Sequence, residues 1–383
     1  MIEKKIAIPF IFIIFLLSTL GSYLVFSKEK NYLLSPLVKN NKDKLEDDKK
    51  DEPKTEVCPI NGMYYTETER RKWEARRPLG VMIENHTEAR PQSGLTAADV
   101  IFEVVAEGGI TRFLAIFYCQ DADYIGPVRS ARIYFIKLLE GFGENPLYAH
   151  VGGANTPGPA DALGYLKDLG WNSYNDLNQF SIPFPYFWRD YERLPNRVTE
   201  HTMYSSTEKL WQYAKEKRKL TDIDSEGVRW NKNYQQWQFI DDYSKEERGD
   251  IKNISFGFWD SLFDEYKVEW NYDRETNFYL RKNSGQPHND RNNNQQIKAK
   301  NVVIIFAEES SANDGYPGGH LLYGIINQGN GLVFQNGNVY KAVWKKKKTT
   351  DQIKLYNENN EEIAFVRGQI WFEILPVGNK VVY

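Results

Sequence analysis

Apolar positions are spread unevenly along this chain. Residues 6–26 form one uncharged, mostly apolar run, and polar or charged positions then dominate up to about residue 56. From there apolar side chains gather into short blocks at 79–84, 100–106 and 113–118, rich in Val, Ile and Phe and bounded by Gly, Pro or Asn, which predicts three strands. The glycine-bearing stretch Glu107-Gly108-Gly109-Ile110-Thr111 predicts that the second and third pair as a hairpin. Ile133, Phe135, Ile136, Leu138 and Leu139 predict a helix over 130–141 that Gly141 or Gly143 ends. A strand at 147–151 follows, with helices at 160–169 and 206–219, the latter capped by Ser205 or Ser206. Interleaved strands and helices of this kind predict an α/β domain, a mixed sheet with helices packed on it.

After Leu220 the period changes. Strand-like blocks follow at 254–259, 267–272, 277–281, 301–306, 321–326, 331–335, 339–344, 353–356, 362–366 and 370–375. Asn336-Gly337 is a two-residue hairpin signal and residues 357–360 a looser one, so this region is expected to be mostly antiparallel β. The polar stretch 283–300, with Asn289, Asn292, Asn293 and Asn294, reads as a surface loop. The expected organisation is therefore a signal anchor or transmembrane helix at 1–26, a charged flexible linker at 27–56, an α/β domain at 57–220 and a β-rich domain at 221–383.

The 21 residues of the first run suffice to cross a bilayer as one helix and exceed the 7–15 apolar residues usual in a secretory leader. No cysteine follows it closely, so a retained anchor is expected, with the bulk of the chain outside the cytoplasm. Lys28, Lys30, Lys39 and Lys42 weaken the charge argument for orientation, but long C-terminal domains translocate largely regardless of it. In residues 27–56, 16 of 30 side chains are charged, eight of each sign, which cannot bury enough surface to fold.

The whole chain has 383 residues, 41% apolar and 14% aromatic, with 49 basic against 52 acidic side chains, a globular composition with no basic excess to drive nucleic-acid binding. Two cysteines, Cys58 and Cys119, exclude a disulfide framework and a cysteine-rich zinc module. They leave room for one bridge, with nothing in the sequence to bring them together.

Several strings are distinctive. Residues 77–86 (RPLGVMIENH), 90–95 (RPQSGL), Ala98-Asp99, 107–113 (EGGITRF) and 125–132 (IGPVRSAR) closely resemble the YerB-like family of bacterial lipoproteins. The resemblance continues through His150-Val151-Gly152-Gly153, Trp188-Arg189-Asp190, Glu200-His201-Thr202-Met203-Tyr204, Tyr272-Asp273, Tyr279-Leu280-Arg281, residues 299–303 (AKNVV) and Gly368-Gln369-Ile370-Trp371, spanning roughly 58–376. It implies two adjoining domains of unknown function and an envelope location, and it implies no reaction. Members often carry a lipidated cysteine after the leader; here the helix itself is the expected membrane attachment.

Arg129 and Arg132 flank the predicted helix start, where cations are disfavoured unless an anion lies between them. Arginine forks suit phosphate or pyrophosphate, so Arg129, Ser130 and Arg132, with Arg112 beyond the hairpin, are candidate ligand-binding residues. The competing reading is internal pairing with Asp99, Glu103 or Glu107, which alternate onto one strand face. Those carboxylates stand too far apart on a straight strand to share a metal unless Gly108-Gly109 bends the chain back, and no metal or cofactor is expected. His150, at a strand end before Gly152-Gly153, and His201 are further ligand-binding candidates, each also explicable as structural, as is His86. No Gly-x-Ser-x-Gly, phosphate-binding glycine loop or His-Glu-x-x-His string is present. The aromatic run 183–188 reads as packing or a glycan groove, and Lys345 to Lys348 as a solvated strand edge or a patch for anionic lipid or polymer.

Two functions fit: a membrane-tethered binding module for an anionic or glycan envelope ligand, such as a phosphate-bearing lipid, glycan or wall polymer; or an envelope phosphotransferase or hydrolase in which Asp99 is the base and His150 a second catalytic candidate. The layout of an aspartate, a hairpin and an arginine before a helix is faintly similar to the LytR-CpsA-Psr phosphotransferases, but Pro127-Val128-Arg129-Ser130 stands where those carry Pro-Arg-Asp.

Overall fold

The continuous apolar blocks become central strands. A computed structural model describes residues 52–383; the predicted anchor and most of the predicted linker lie outside the described residues. β1 (Leu79–Glu84), β2 (Val100–Glu107), β3 (Ile110–Phe117), β4 (Leu147–His150) and β5 (Asp176–Asn178) come from the first half of the chain. Every residue of β1 and β4 is buried, as in strands covered on both faces. β2 and β3 form the predicted hairpin, and its Gly108 and Gly109 hold φ of 58° and 84°, a left-handed geometry glycine adopts freely.

The second half supplies two sets of strands. β6 (Asn253–Phe256), β7 (Val268–Asp273), β8 (Phe278–Asn283), β9 (Gln286–Pro287) and β10 (Lys298–Ala299) make a separate antiparallel sheet. β11 (Asn301–Ala307), β12 (Asn327–Gln335), β13 (Asn338–Lys346), β14 (Lys354–Tyr356) and β15 (Ile370–Pro376) extend the first sheet, giving ten strands in the order β14-β13-β12-β11-β15-β2-β3-β1-β4-β5. β15 is the junction, parallel to β11 on one side and to β2 on the other, with Ile370 opposite Val100 and Glu373 opposite Glu103. The N-terminal region is thus mixed α/β and the C-terminal region mostly antiparallel, as expected, and strands of both lie side by side in one sheet. The β12–β13 hairpin turns on Asn336-Gly337, at φ of 51° and 69°.

Each face of the large sheet has its own cover. α1 (Glu67–Trp73) precedes β1, and α2 (Ile133–Leu139) packs where Gly80 leaves room: a Cβ there would meet Leu139 at 2.8 Å. On the same face Phe102 stacks on Phe372 at 4.7 Å and meets Phe142 at 6.1 Å. The opposite face meets the small sheet, where Trp371 packs edge-on to Trp270 at 5.2 Å. α3 (Ala162–Asp168) and α4 (Thr207–Arg218) complete the fold; Ser206, of the two predicted caps, accepts from Lys209 N–H.

Three expectations change. The helix predicted over 130–141 begins at Ile133, because residues 128–131 are drawn into extended pairing: Arg129 N–H donates to Met82 O, and its carbonyl accepts from Val151 N–H. The loop at 283–300 is not simply surface. Its Asp290 is buried and accepts from Gly94 N–H, Thr96 N–H and Thr96 Oγ1. In the lysine run, Lys346 is buried at the end of β13, where its ammonium donates to Thr349 O and Asp351 O and burial lowers its pKa to about 7.

The two cysteines are joined. Cys58 and Cys119, 61 residues apart, form a buried disulfide with Cα atoms 6.2 Å apart. The turn between the short paired strands Glu56–Val57 and Tyr64–Tyr65 places Cys58 against the end of β3. Such a bridge persists in an oxidising compartment.

Candidate functional site

β1 and β4 run parallel, so their carboxyl ends open on the same edge of the sheet, where ligand crevices form in α/β folds. A cleft of about 540 Å³ lies there, lined by Arg129, Ser130, Gly152, Gly153, Asn155 and Arg189, with Phe180, Thr199 and Glu200 at its sides. Side chains at either glycine would intrude: a Cβ on Gly152 would meet Phe180 at 2.9 Å, and one on Gly153 would meet Leu163 at 3.0 Å and Ala131 at 3.1 Å.

The arginines are arranged in two tiers. Arg129 is the outer one: its side chain is 25% exposed, and its Nε stands 3.0 Å from Glu84 Oε1 without making a hydrogen bond. Behind it Arg112 and Arg132 are buried and share one carboxylate, Arg112 Nη2 at 2.6 Å from Glu107 Oε1 and Arg132 on Glu107 Oε2. They also donate to the backbone that carries Arg129, Arg112 to Ser130 O and Arg132 to Ala131 O. Burial raises the Glu107 pKa, but Arg112 and Arg132 together outweigh it and hold the carboxylate below its ordinary range. Burial, then Arg132, brings Arg112 down to about 10. The corner holds three guanidiniums against the carboxylates of Glu84 and Glu107.

Internal pairing therefore accounts for Arg112 and Arg132, though with one of the three expected carboxylates. A bulge between Val105 and Glu107 breaks the alternation of β2 and turns Glu107 to the face of Arg112. Glu103 stays on the other face, 2.5 Å from Arg281 of β8. Asp99 lies at the far end of β2, eight residues and roughly 26 Å from Glu107 at strand rise. It is fully buried and accepts from Asn61 Nδ2 at 2.6 Å and from the backbone of Tyr118 and Cys119. Burial, opposed by those bonds, raises its pKa to about 6. Asp99 is therefore out of reach as a base for this cleft.

His150 is also corrected. It is fully buried, with Nδ1 2.7 Å from Gly152 O and Nε2 2.7 Å from Asp176 Oδ1, so both nitrogens are engaged within the fold and neither reaches the cleft. Its part is to hold the Gly152 loop on β4 and β5. His201 ends the short turn Thr199–His201 beside the cleft and is buried against Glu84, Nδ1 to Oε2 at 2.8 Å.

The sequence reading missed Glu84, Asn155, Phe180 and Arg189 as members of this corner. Glu84 carried one signal, a charge closing a strand that is otherwise apolar, and Arg189 sat in a distinctive string to which no role was assigned.

The fold, its single disulfide and the cleft define a class: a disulfide-bonded α/β protein in which two sequence regions share one sheet beside a basic crevice. The chain belongs to the DUF3048 family of proteins of unknown function, residues 61–221 matching its N-terminal domain and residues 260–372 its C-terminal domain. It is similar to a Bacillus subtilis (strain 168) protein named "Putative lipoprotein YerB", 31% identical over 325 residues that cover 83% of this chain and 86% of that one. The crystal structure of the YerB protein from Bacillus subtilis is similar with a TM-score of 0.67 and 28% identity, covering 86% of this chain and 100% of that one. Likeness to a lipoprotein supports association with the cell envelope.

Proposed function

We propose that this is a membrane-tethered, extracytoplasmic binding module whose cleft takes an anionic group, such as the phosphate of an envelope lipid, glycan or wall polymer. One observation carries the reading. Arg129 lines an open cleft beside Ser130, Gly152, Gly153 and Arg189, while the two arginines behind it share the single carboxylate of Glu107, so three guanidiniums face two carboxylates and the corner keeps a net positive charge. Guanidinium forks match phosphate oxygens, and the bare glycine backbone lets an anion approach closely. Among the described residues Glu200 is the one carboxylate lining the cleft, and the candidate base Asp99 is sealed elsewhere, so binding is favoured over phosphoryl transfer.

Titration of the purified chain with pyrophosphate and with phosphate-bearing wall polymer tests this. Arg129→Ala and Arg189→Ala should each weaken binding at least tenfold while leaving the fold intact. Undiminished binding in both variants, or none in the wild type, would sink the proposal.

Attachment is assigned to the apolar run at 6–26, since both cysteines of the chain are committed to the disulfide. In the native host, the protein should stay in membranes after high-salt washing, with lysines of residues 57–383 open to impermeant reagents from outside. Release as a shortened soluble form, or protection in intact cells, would reverse this assignment.

A further inference from the structure

We infer that His86, Glu88 and His201 form a binding site for one divalent transition-metal ion of the zinc class, at the corner where the chain leaving β1 meets the turn Thr199–His201. The ligating atoms of the three side chains all lie within 4.8 Å of one another. They come from segments more than a hundred residues apart, and the fold brings the two imidazole rings parallel at 4.9 Å and 11°.

Two distances point to an ion. His201 Nε2 stands 3.5 Å from Glu88 Oε2, too long for a good hydrogen bond. Two donors each at about 2.0–2.1 Å from a tetrahedral ion stand about 3.4 Å apart, so this pair is already at ligand spacing. The other nitrogen, Nδ1, lies 2.8 Å from Glu84 Oε2 and donates its hydrogen there. That bond turns the lone pair of Nε2 toward Glu88, and a carboxylate behind a histidine is the usual support of a metal-bound imidazole. Among the described residues, Glu88 forms an ion pair only with His201.

His86 closes the set. Its Nδ1 lone pair accepts from Glu88 N–H at 3.2 Å, a long bond that ligation would exchange for the ion. Capture of the ion requires His86 to turn out of its parallel stack on His201, so that the in-plane lone pairs converge, and to bring its donor to about 3.4 Å from the others, the spacing of a tetrahedral site. His201 is buried while the Glu88 side chain is 46% exposed, which gives the ion a way in. Two imidazoles and one carboxylate suit zinc and its neighbours, whereas calcium and magnesium favour oxygen-only sets. Three protein ligands leave a fourth position to water.

The metal site is distinct from the anion cleft. The two sites share only Glu84, whose Oε1 faces Arg129 and whose Oε2 faces His201. Cobalt(II), with its visible ligand-field bands, and zinc are the probes, titrated into the chelator-stripped full chain in detergent. Wild type should take up one equivalent with a four-coordinate cobalt spectrum that zinc abolishes. His201→Ala risks the fold, so the deciding variants are Glu88→Ala, at an exposed side chain, and His86→Asn, which keeps a residue able to cap the turn. Each should lower cobalt affinity at least a hundredfold with an unchanged circular dichroism spectrum, and Glu84→Gln, at the supporting carboxylate, should lower it about tenfold. Failure of folded wild type to take up stoichiometric cobalt or zinc, or equal uptake by Glu88→Ala and His86→Asn, overturns the site. Pyrophosphate binding plays no part in either readout.

Discussion

Replacing Arg281 by methionine should be among the most damaging single changes away from the cleft. The residue lies on β8 of the small sheet and is fully buried. Its Nη2 meets Glu103 Oε2 of β2 at 2.5 Å, its Nη1 meets His288 Nδ1 at 2.6 Å, and its guanidinium sits 4.8 Å from the Trp371 ring. Glu103 is equally enclosed and also accepts from Asn85 Nδ2 at 3.2 Å and Thr111 Oγ1 at 2.7 Å. The adjacent Glu373 has its pKa pushed well up, by burial first and the Glu103 charge second, which favours its neutral form. Arg281 and Glu103 are then the charged pair at this junction of the two sheets. Arg281→Met leaves Glu103 as an uncompensated buried charge, which costs about 3–5 kcal/mol. Glu103→Gln alone should cost a similar amount by stranding Arg281. The double variant removes both charges, so its loss should fall short of the summed single losses by about 2–3 kcal/mol. Urea unfolding without reductant, followed by far-ultraviolet circular dichroism, measures each step. A loss under about 1 kcal/mol for Arg281→Met, or strict additivity in the double variant, would refute the charge accounting on which the joining of the two sheets rests.

Two further outcomes follow from the interior. Replacing both Cys58 and Cys119 with alanine opens a 61-residue loop in the unfolded chain and should lower stability by about 4 kcal/mol, read as a drop in the urea midpoint; an unchanged midpoint would deny the bridge a stabilising role. Glu373 has a folded pKa above the unfolded value of 4.5, so its stabilising contribution is fully present below about pH 4.5 and is lost as pH rises toward the folded value, at up to about 1.4 kcal/mol per pH unit. Glu373→Gln should therefore be more stable than wild type at pH 8, with the advantage vanishing near pH 4.5; parallel stability profiles of the two proteins would count against a raised pKa.

Local rules carried far in this chain because local and tertiary demands agree over most of it. The residues of β1 are all apolar except its last, and any sheet that buries both faces accepts them as a strand, so the run 79–84 is both the predicted and the observed element. Glycines Gly108 and Gly109 specify the β2–β3 hairpin without help from elsewhere, as Asn336-Gly337 does for β12–β13. The partners across the sheet were another matter: nothing in residues 100–107 or 370–376 says that β2 lies beside β15, since parallel neighbours 270 residues apart share no turn. The candidate site failed to appear in the sequence for a narrower physical reason. An unbroken two-residue period puts Asp99, Glu103 and Glu107 on one face, and on that premise all three compete for Arg129 and Arg132. One inserted residue at Ala106 moves Glu107 to the other face and separates them: Asp99 ties down the backbone beside the disulfide, Glu103 anchors the small sheet, and Glu107 alone meets the arginines. Because Glu107 takes Arg112 and Arg132 together, Arg129 has only Glu84, which His201 also claims. The bulge thus leaves Arg129, part-exposed on the cleft, with a carboxylate that it shares with His201, and leaves His201 pointing its other nitrogen at Glu88.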